Sequence, residues 1–288
     1  MKITTTFDVI IVGGGLAGLT SAIHLSSRKK RVLLIEKNEY PKHKVCGEYI
    51  SNEVLPYLNS LGINPINEGA KQITKVHIST TKSNLIKGEL PLGGFGMSRY
   101  FLDNLLVKKA HLNGVQILKD TVDSIHFKKD SFTITTKSSG VFQSKITIGA
   151  FGKRSSLDQK MKRKFIQKKS PYLAVKIHVK GVFPENLVAL HNFKGGYCGV
   201  SKVEDNAINV CYITEYRSFK KHKNITDFQE QVVFKNEHLR KIFKESTPVF
   251  EKPLTISQVS FQTKNPVEDH VIMCGDTAGM IHPLCGNG

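Results

Sequence analysis

The chain begins with a short run in which nearly every position is apolar, FDVIIVG, and this run passes directly into GGGLAGLTSAIHLSS, where Leu16, Leu19, Ile23 and Leu25 recur at helical spacing. The first pattern predicts a strand buried on both faces of a parallel sheet, and the second predicts a helix packed on it. A second strand, RVLLIEK, completes a strand-turn-helix-strand unit of βαβ length. Next, YPKHKVCGEYISNEVLPYLNSLGI reads as a loop followed by a helix that Ser51 caps. Residues 72–90 alternate weakly and predict two strands. SRYFLDNLLVKKAHLNG is an amphipathic helix closed by Gly114. VQILKD continues the parallel sheet, SIHFKKDSFTITTKSSGVFQS predicts antiparallel strands, and KITIGAFG returns to the core. Between about 171 and 262 the strands lengthen around one polar helix near 226–244, and HVIMCGD then restores the short apolar style of the start. The expected fold class is α/β: a Rossmann-like domain, a parallel sheet with an antiparallel β insertion, interrupted by a mostly β substrate domain. The expected boundaries put 1–71, 97–165 and 264–288 in the first domain, and 72–96 and 166–263 in the second.

Gly13, Gly15 and Gly18 fit G-x-G-x-x-G between a strand and a helix, the context in which that pattern has physical meaning. The first glycine permits the turn, the second lets backbone approach a pyrophosphate, and the third lets the helix lie on the strand. The helix N-terminus then faces the phosphates with its partial positive charge. Glu36 ends the following strand, placed for ribose hydroxyls, and its carboxylate disfavours a 2′-phosphate, so FAD or NAD fits better than NADP. Lys37 beside it joins the candidate cofactor contacts.

Composition narrows the classes. The longest apolar runs are interrupted well short of the roughly 20 residues that cross a bilayer, so no spanning helix is expected. No small-residue cleavage site follows an apolar core at the N-terminus, and no secretory leader is expected. The five cysteines, Cys46, Cys198, Cys211, Cys274 and Cys285, include no C-x-x-C pair, which argues against a disulfide framework and against a metal site. A cytoplasmic location fits, with a peripheral membrane contact as its variant. Lys and Arg number 42 against 24 Asp and Glu, a net charge of +18. That field favours acidic partners, an anionic membrane surface or an acidic carrier protein presenting a substrate. Nucleic acid is not expected, because the lysines are scattered without a recognition motif and the densest run, KMKRKFIQKK at 160–169, reads as a solvated connector.

The C-terminal stretch CGDTAGMIHPLCGNG places Asp276 just after a core strand, followed by small residues, Pro283 and glycines. Here the chain resembles the flavoprotein superfamily that contains p-hydroxybenzoate hydroxylase, the geranylgeranyl reductases and the flavin-dependent halogenases. The resemblance implies FAD, with Gly275 and Asp276 on its ribityl part and Pro283, Gly286 and Gly288 in the turn approaching the flavin ring. Arg99 in MSRYFLDNLL resembles the arginine that starts the helix over the pyrophosphate. YPKHKVCGEYIS resembles the cysteine-glycine loop near the flavin in the geranylgeranyl reductase-like branch. Two departures stand out. The superfamily's middle motif carries Asp-Gly, whereas this chain reads AFGKRSS with Phe151 at the aspartate position, which puts direct use of NAD(P)H in question and leaves a partner reductase as the other donor. The superfamily also continues past the last glycine into a helix, so the chain is expected to be C-terminally incomplete.

The resemblance implies an FAD-dependent oxidoreductase, of reductase or monooxygenase type, acting on a small hydrophobic isoprenoid, quinone or polyketide-like substrate. A tryptophan-type halogenase is disfavoured, because the chain has no tryptophan. Cys46, flanked by His43 and Lys44, is the leading catalytic candidate, as a thiol in an electropositive loop or as a small buried hydrophobe. Glu48 is the candidate proton donor or acceptor, with an ion-pair role as its alternative. Tyr197 and Cys198 are candidates to line the pocket, with a core role as the alternative, and His282 beside Pro283 either approaches the flavin or shapes the turn. Two other readings remain: an FAD-binding fragment without activity, and a basic non-enzymatic binding protein.

Overall fold

The computed structural model describes residues 5–282. A first sheet carries a parallel core in the order β17 (Val271–Met273), β9 (Val141–Gly149), β1 (Thr5–Val12), β2 (Val32–Glu36) and β6 (Gln116–Lys119). Strand β16 (Val267–Glu268) pairs antiparallel with β17 at one edge. The hairpin β7 (Val122–Lys128) and β8 (Ser131–Thr136) pairs with the first half of β9, and β17 takes up its last residues. The chain runs outward from β1 to β2 and β6, then returns to the opposite side of β1 as β9. That reversal opens a crevice at the carboxyl ends of β1 and β9, the place where open α/β sheets bind ligands.

Alternation along β1 feeds two cores. Val9 and Ile11 face helices α1 (Leu16–Ser27) and α3 (Arg99–Leu112), where they meet Leu19, Ile23, Leu102 and Leu106. Ile10 and Val12 face the other side and meet Phe132, Ile134 and Leu157, the last from α4 (Ser156–Lys160). The apolar run is continuous because both faces are covered.

A second sheet has the order β14 (Thr247–Pro248), β10 (Tyr172–Lys180), β13 (Ile208–Glu215), β12 (Gly196–Lys202), β11 (Leu187–Phe193), β4 (Lys71–Ser79), β5 (Leu85–Gly96) and β3 (Tyr49–Ser51), with β15 (Leu254–Val259) also on β10. Strand β3, which sits in sequence within the stretch expected to belong to the first unit, is thus an edge strand of this sheet. The expected polar helix near 226–244 is two helices, α6 (Ile225–Gln231) and α7 (Glu237–Lys244), separated by a tight turn. They cover one face of the sheet, packing Phe228 and Leu239 on Val175, Val200, Val210 and Tyr212. Short helices α2 (Leu55–Ser60) and α5 (Tyr216–Phe219) complete the fold. Ser51 caps a tight turn over Asn52–Val54 ahead of α2, accepting from the Glu53 N–H.

The run 160–169 corrects the expectation of a solvated connector: Arg163 is 2% and Phe165 6% exposed. Among the described residues no helix is long and apolar enough to cross a membrane.

Asn236 joins α7 to the sheet. Its side-chain oxygen accepts from the His238 and Leu239 N–H groups, and its amide donates to Ser79 Oγ and to the Thr80 and Asn192 carbonyls. Asn236→Ala removes a helix cap and strands buried acceptors, so it is expected to cost about 2–4 kcal/mol in urea unfolding.

Candidate functional site

At the crevice the backbones nearly touch. A Cβ on Gly18 would lie 1.9 Å from the Gly13 carbonyl oxygen, and one on Gly13, whose φ is +105°, would lie 2.3 Å from the Ala150 oxygen. Helix α1 therefore seats directly on the β1 turn. Its N-cap is Gly15, which has no side chain to satisfy the first-turn amides, so those N–H groups are left for an anion.

Glu36 lies at the end of β2, and its Oε2 accepts from the Gly14 N–H at 2.7 Å while Oε1 accepts from the Asn38 backbone and side chain. Tyr40 Oη donates to the Gly14 carbonyl at 2.6 Å, so its ring lies over the glycine turn. Burial, reinforced by the charges of Glu36 and Asp103, holds that phenol protonated far above the usual tyrosine range. Lys37 is exposed at the strand end.

Arg99 starts α3. Its Nε and Nη2 donate to the two oxygens of Asp103 at 2.8 and 3.0 Å, and Nη2 would lie 3.9 Å from a Cβ on Gly15. Asp103, with a side chain 1% exposed, also takes Lys44 at 2.6 Å. Two cations on one carboxylate leave a net positive charge beside the glycine turn, which suits a diphosphate.

The Cys46 loop is held from the second sheet. Asn209 on β13 donates from its amide to the Gly47 carbonyl at 2.7 Å and to the Cys46 carbonyl at 3.3 Å. Lys176 on β10 donates to the Lys44 carbonyl at 3.2 Å. Glu48 is 1% exposed and is shared by Lys176, by His178 Nε2 at 2.6 Å, and by the Arg99 N–H at 2.7 Å. Burial pushes the Glu48 carboxyl up, but the His178 hydrogen bond and the Lys176 charge outweigh it and hold the group below the usual carboxylate range. Glu48 is thus a buried ion-pair centre, the alternative role, and not a carboxylate open to substrate.

His43 stacks on Tyr100 at 4.5 Å between ring centroids and packs against Phe250 and His178. Burial, then the nearby Lys176 and His178, lower it to about 4. It is neutral at pH 7, and Lys44 is committed to Asp103, so neither flanking residue supplies an unpaired positive charge to Cys46. Cys46 itself is half-buried and reduced. Cys198 belongs to the core under α6, fully buried, and not to a pocket. Tyr197 is half-buried on the same strand, and His282 stacks on Phe261.

The C-terminal landmark closes the crevice. Gly275 has φ +60°, and a Cβ there would meet the Ala17 side chain at 2.7 Å, which brings Gly275–Thr277 against the first turn of α1. Asp276 is half-buried, and its carboxylate accepts no hydrogen bond among the described residues. Thr277 Oγ1 accepts from the Gly152 N–H at 2.7 Å, tying this turn to the loop after β9. Phe151 packs into the core beneath that loop. Pro283, Gly286 and Gly288 lie outside the described residues. Among the described residues no group of histidine, cysteine or carboxylate side chains forms a metal site.

Gly13, Gly15, Gly18, Glu36, Arg99, Gly275 and Asp276 thus meet at one crevice. Sequence reading missed Lys176, His178, Asn209, Asp103, Arg163 and Lys264. For the first two a pattern existed: in YLAVKIHVK the ionisable Lys176, His178 and Lys180 fall at alternate positions among apolar ones, and the first two are buried.

Residues 6–288 match the FAD binding domain family, and the chain belongs to it. A digeranylgeranylglycerophospholipid reductase of Methanococcus vannielii is 24% identical over 298 residues, 98% of this chain and 73% of that protein. The digeranylgeranylglycerophospholipid reductase 1 of Methanosphaera stadtmanae is 24% identical over 309 residues, 98% of this chain and 71% of that protein. Among solved structures, a flavin-dependent brominase, Bmp2, superposes with a TM-score of 0.82 at 19% identity, covering 98% of this chain and 74% of its own, which establishes the fold. The cofactor is FAD, and the crevice residues fit it. The protein is an FAD-dependent oxidoreductase.

Arg99→Lys keeps the charge but loses the planar fork, and it should raise the FAD dissociation constant by about tenfold in a fluorescence titration. Glu48 titrates below the ordinary value of about 4.3, so its contribution to stability is fully present above that pH and is lost as the pH falls through the folded pKa. Glu48→Gln leaves Lys176 buried opposite a neutral group, at a cost of about 3–5 kcal/mol at neutral pH. Melting temperatures of parent and variant should converge as the pH falls below about 4.

Proposed function

We propose that this FAD-dependent oxidoreductase acts on a hydrophobic substrate of the isoprenoid, quinone or polyketide-like class. The carrying observation is the meeting of the Gly13–Gly18 turn, Arg99, the Cys46 loop and the Gly275–Thr277 turn at the carboxyl ends of β1 and β9. In this reading the α1 amides and Arg99 hold the diphosphate, Glu36 takes the adenosine ribose, and Asp276 takes the ribityl hydroxyls. When bound, FAD supplies two-electron redox chemistry to the substrate. The chain's own part is positioning: Asn209, Lys176 and Glu48 hold the Cys46 loop, and the neutral His43 packs between Tyr100 and Phe250 beside it.

Likeness over 98% of the chain to proteins named digeranylgeranylglycerophospholipid reductase supports an isoprenoid lipid over the other two classes. The net charge of +18 supports delivery from an anionic membrane surface or an acidic carrier protein. A second reading, FAD binding without turnover, is favoured by Phe151, an apolar side chain where the related motif has a carboxylate.

The test begins with purified protein. Yellow colour released as FAD on denaturation is expected, followed by incubation of chemically reduced protein with a geranylgeranylated glycerolipid and, separately, a prenylated quinone. Gain of hydrogen at a prenyl double bond without oxygen, by mass spectrometry, supports the reductase form, and gain of oxygen supports the monooxygenase form. Bound FAD with no product from either compound, in the presence or absence of oxygen, would replace the proposal with the second reading.

A further inference from the structure

Two buried cations converge on the Gly275–Thr277 turn from segments that carry no cofactor motif. Arg163, 2% exposed, donates from Nη1 to the Thr277 carbonyl at 3.0 Å and to Asp158 Oδ1 at 2.8 Å, and from Nη2 to the Asn265 carbonyl at 2.9 Å. Lys264, 7% exposed, donates from Nζ to the Asp276 carbonyl at 2.5 Å and to the Lys153 carbonyl at 3.0 Å. Its ammonium lies 4.4 Å from the Phe165 ring centroid, and Arg163 lies over the same ring at 5.2 Å. Asp158 is fixed in turn, since its second oxygen accepts from the Ser155 N–H at 2.7 Å in a capping box.

The two carbonyls held are those of Asp276 and Thr277, consecutive in the chain. The Asp276 side chain leaves the backbone between the plane of the Gly275 carbonyl, which accepts from the Ala278 and Gly279 N–H groups, and the plane of its own carbonyl, which Lys264 holds, while Arg163 fixes the next plane along the turn. The same two cations also hold Lys153 and Asn265, so the loop after β9 and the approach to β16 are locked to the turn as one body.

Stability alone does not account for Lys264. Among the described residues its hydrogen-bond partners are carbonyls and not a carboxylate. Burial lowers its pKa, and the opposing charges of Asp158 and Asp276 do not restore it. A buried ammonium held in that way costs desolvation that an apolar isostere would not, so the return lies in what it orients.

We infer that Arg163 and Lys264 are positioning residues for FAD, acting through the backbone carbonyls of Thr277 and Asp276 to aim the Asp276 carboxylate at the ribityl chain. The inference rests on the reading of Asp276 given above. Lys264→Met keeps the length and removes the donors; Lys264→Arg restores a cation; Arg163→Lys keeps charge and loses the fork.

The experiment uses the whole chain, titrated with FAD by fluorescence quenching, with apoprotein melting temperature and the visible spectrum of bound flavin recorded alongside. Lys264→Met is expected to leave apoprotein melting nearly unchanged while raising the FAD dissociation constant by about tenfold or more and shifting the flavin absorption bands. Lys264→Arg should recover part of both, and Arg163→Lys should weaken binding in the same sense. Asp276→Asn on the parent should weaken FAD, and on Lys264→Met should weaken it less, because an unaimed carboxylate has less to lose. Unchanged affinity and an unchanged spectrum in Lys264→Met and Arg163→Lys would overturn the proposal. So would weakening matched by an equal loss of apoprotein stability, which marks a merely structural role. If Asp276→Asn alone leaves affinity unchanged while Glu36→Ala and Arg99→Lys weaken it, FAD binds but the assignment of Asp276 fails. If the parent itself takes up no FAD, the whole reading of the crevice fails, and not this inference alone.

Discussion

The arrangement of the two sheets turns on a carboxylate with no access to water. An isolated ion in that position costs several kcal/mol, and the cost is offset only by good geometry to opposite charge and by hydrogen bonds on the remaining lone pairs. Glu48 gathers these from both halves of the molecule: Lys176 and His178 from β10 in the second sheet, and the first amide of α3 from the first unit. The α3 amide also places the negative charge at a helix N-terminus, where the partial positive charge favours it. Glu48 itself sits at φ 55°, a conformation unusual for a residue with a side chain, and its carbonyl accepts from the Met97 N–H. The loop carrying Cys46, the start of the helix carrying Arg99 and strand β10 of the second sheet are therefore held in one geometry.

The same physics explains where part of the positive charge goes. A surface lysine is hydrated and contributes to a diffuse field, whereas Arg99, Lys44, Lys176, Arg163 and Lys264 are directed inward at carboxylates or carbonyls around one crevice. Asp103 compensates Arg99 and Lys44 only in part, and that surplus lies beside the glycine turn, where a dinucleotide diphosphate would bring negative charge. Basicity in this chain is thus partly a property of the site and only partly one of the surface.

Much of the first unit was legible because its determinants are local. FDVIIVG must be a doubly covered strand, and Gly18 lies close in sequence to the Gly13 carbonyl it approaches, so turn, helix and phosphate-facing amides follow from spacing, whereas the close approach of Gly13 to Ala150 is made across the sheet. The short strand that ends before Gly275 was legible in the same way. The second sheet was legible as strands, but not its order: β11 lies parallel to β4 and far from it in the chain, and nothing local encodes that neighbour. The run 160–169 was misread because its lysines are exposed while Arg163 and Phe165 turn inward, a division that depends on what packs above them.

What the sequence determined by itself was the class of unit and the end of the sheet at which a dinucleotide sits, since strand, glycine turn and helix start are set by residues within one βαβ segment. Only the tertiary structure decided that Glu48 is an ion-pair centre and that Lys176, His178, Arg163 and Lys264 belong to the site. Glu48 and His178 are 130 positions apart, and Arg163 and Thr277 are 114 apart. Over such separations a lysine destined for a buried carboxylate and one destined for water look the same, because burial is decided by the two sheets closing on each other and not by any neighbour in the chain.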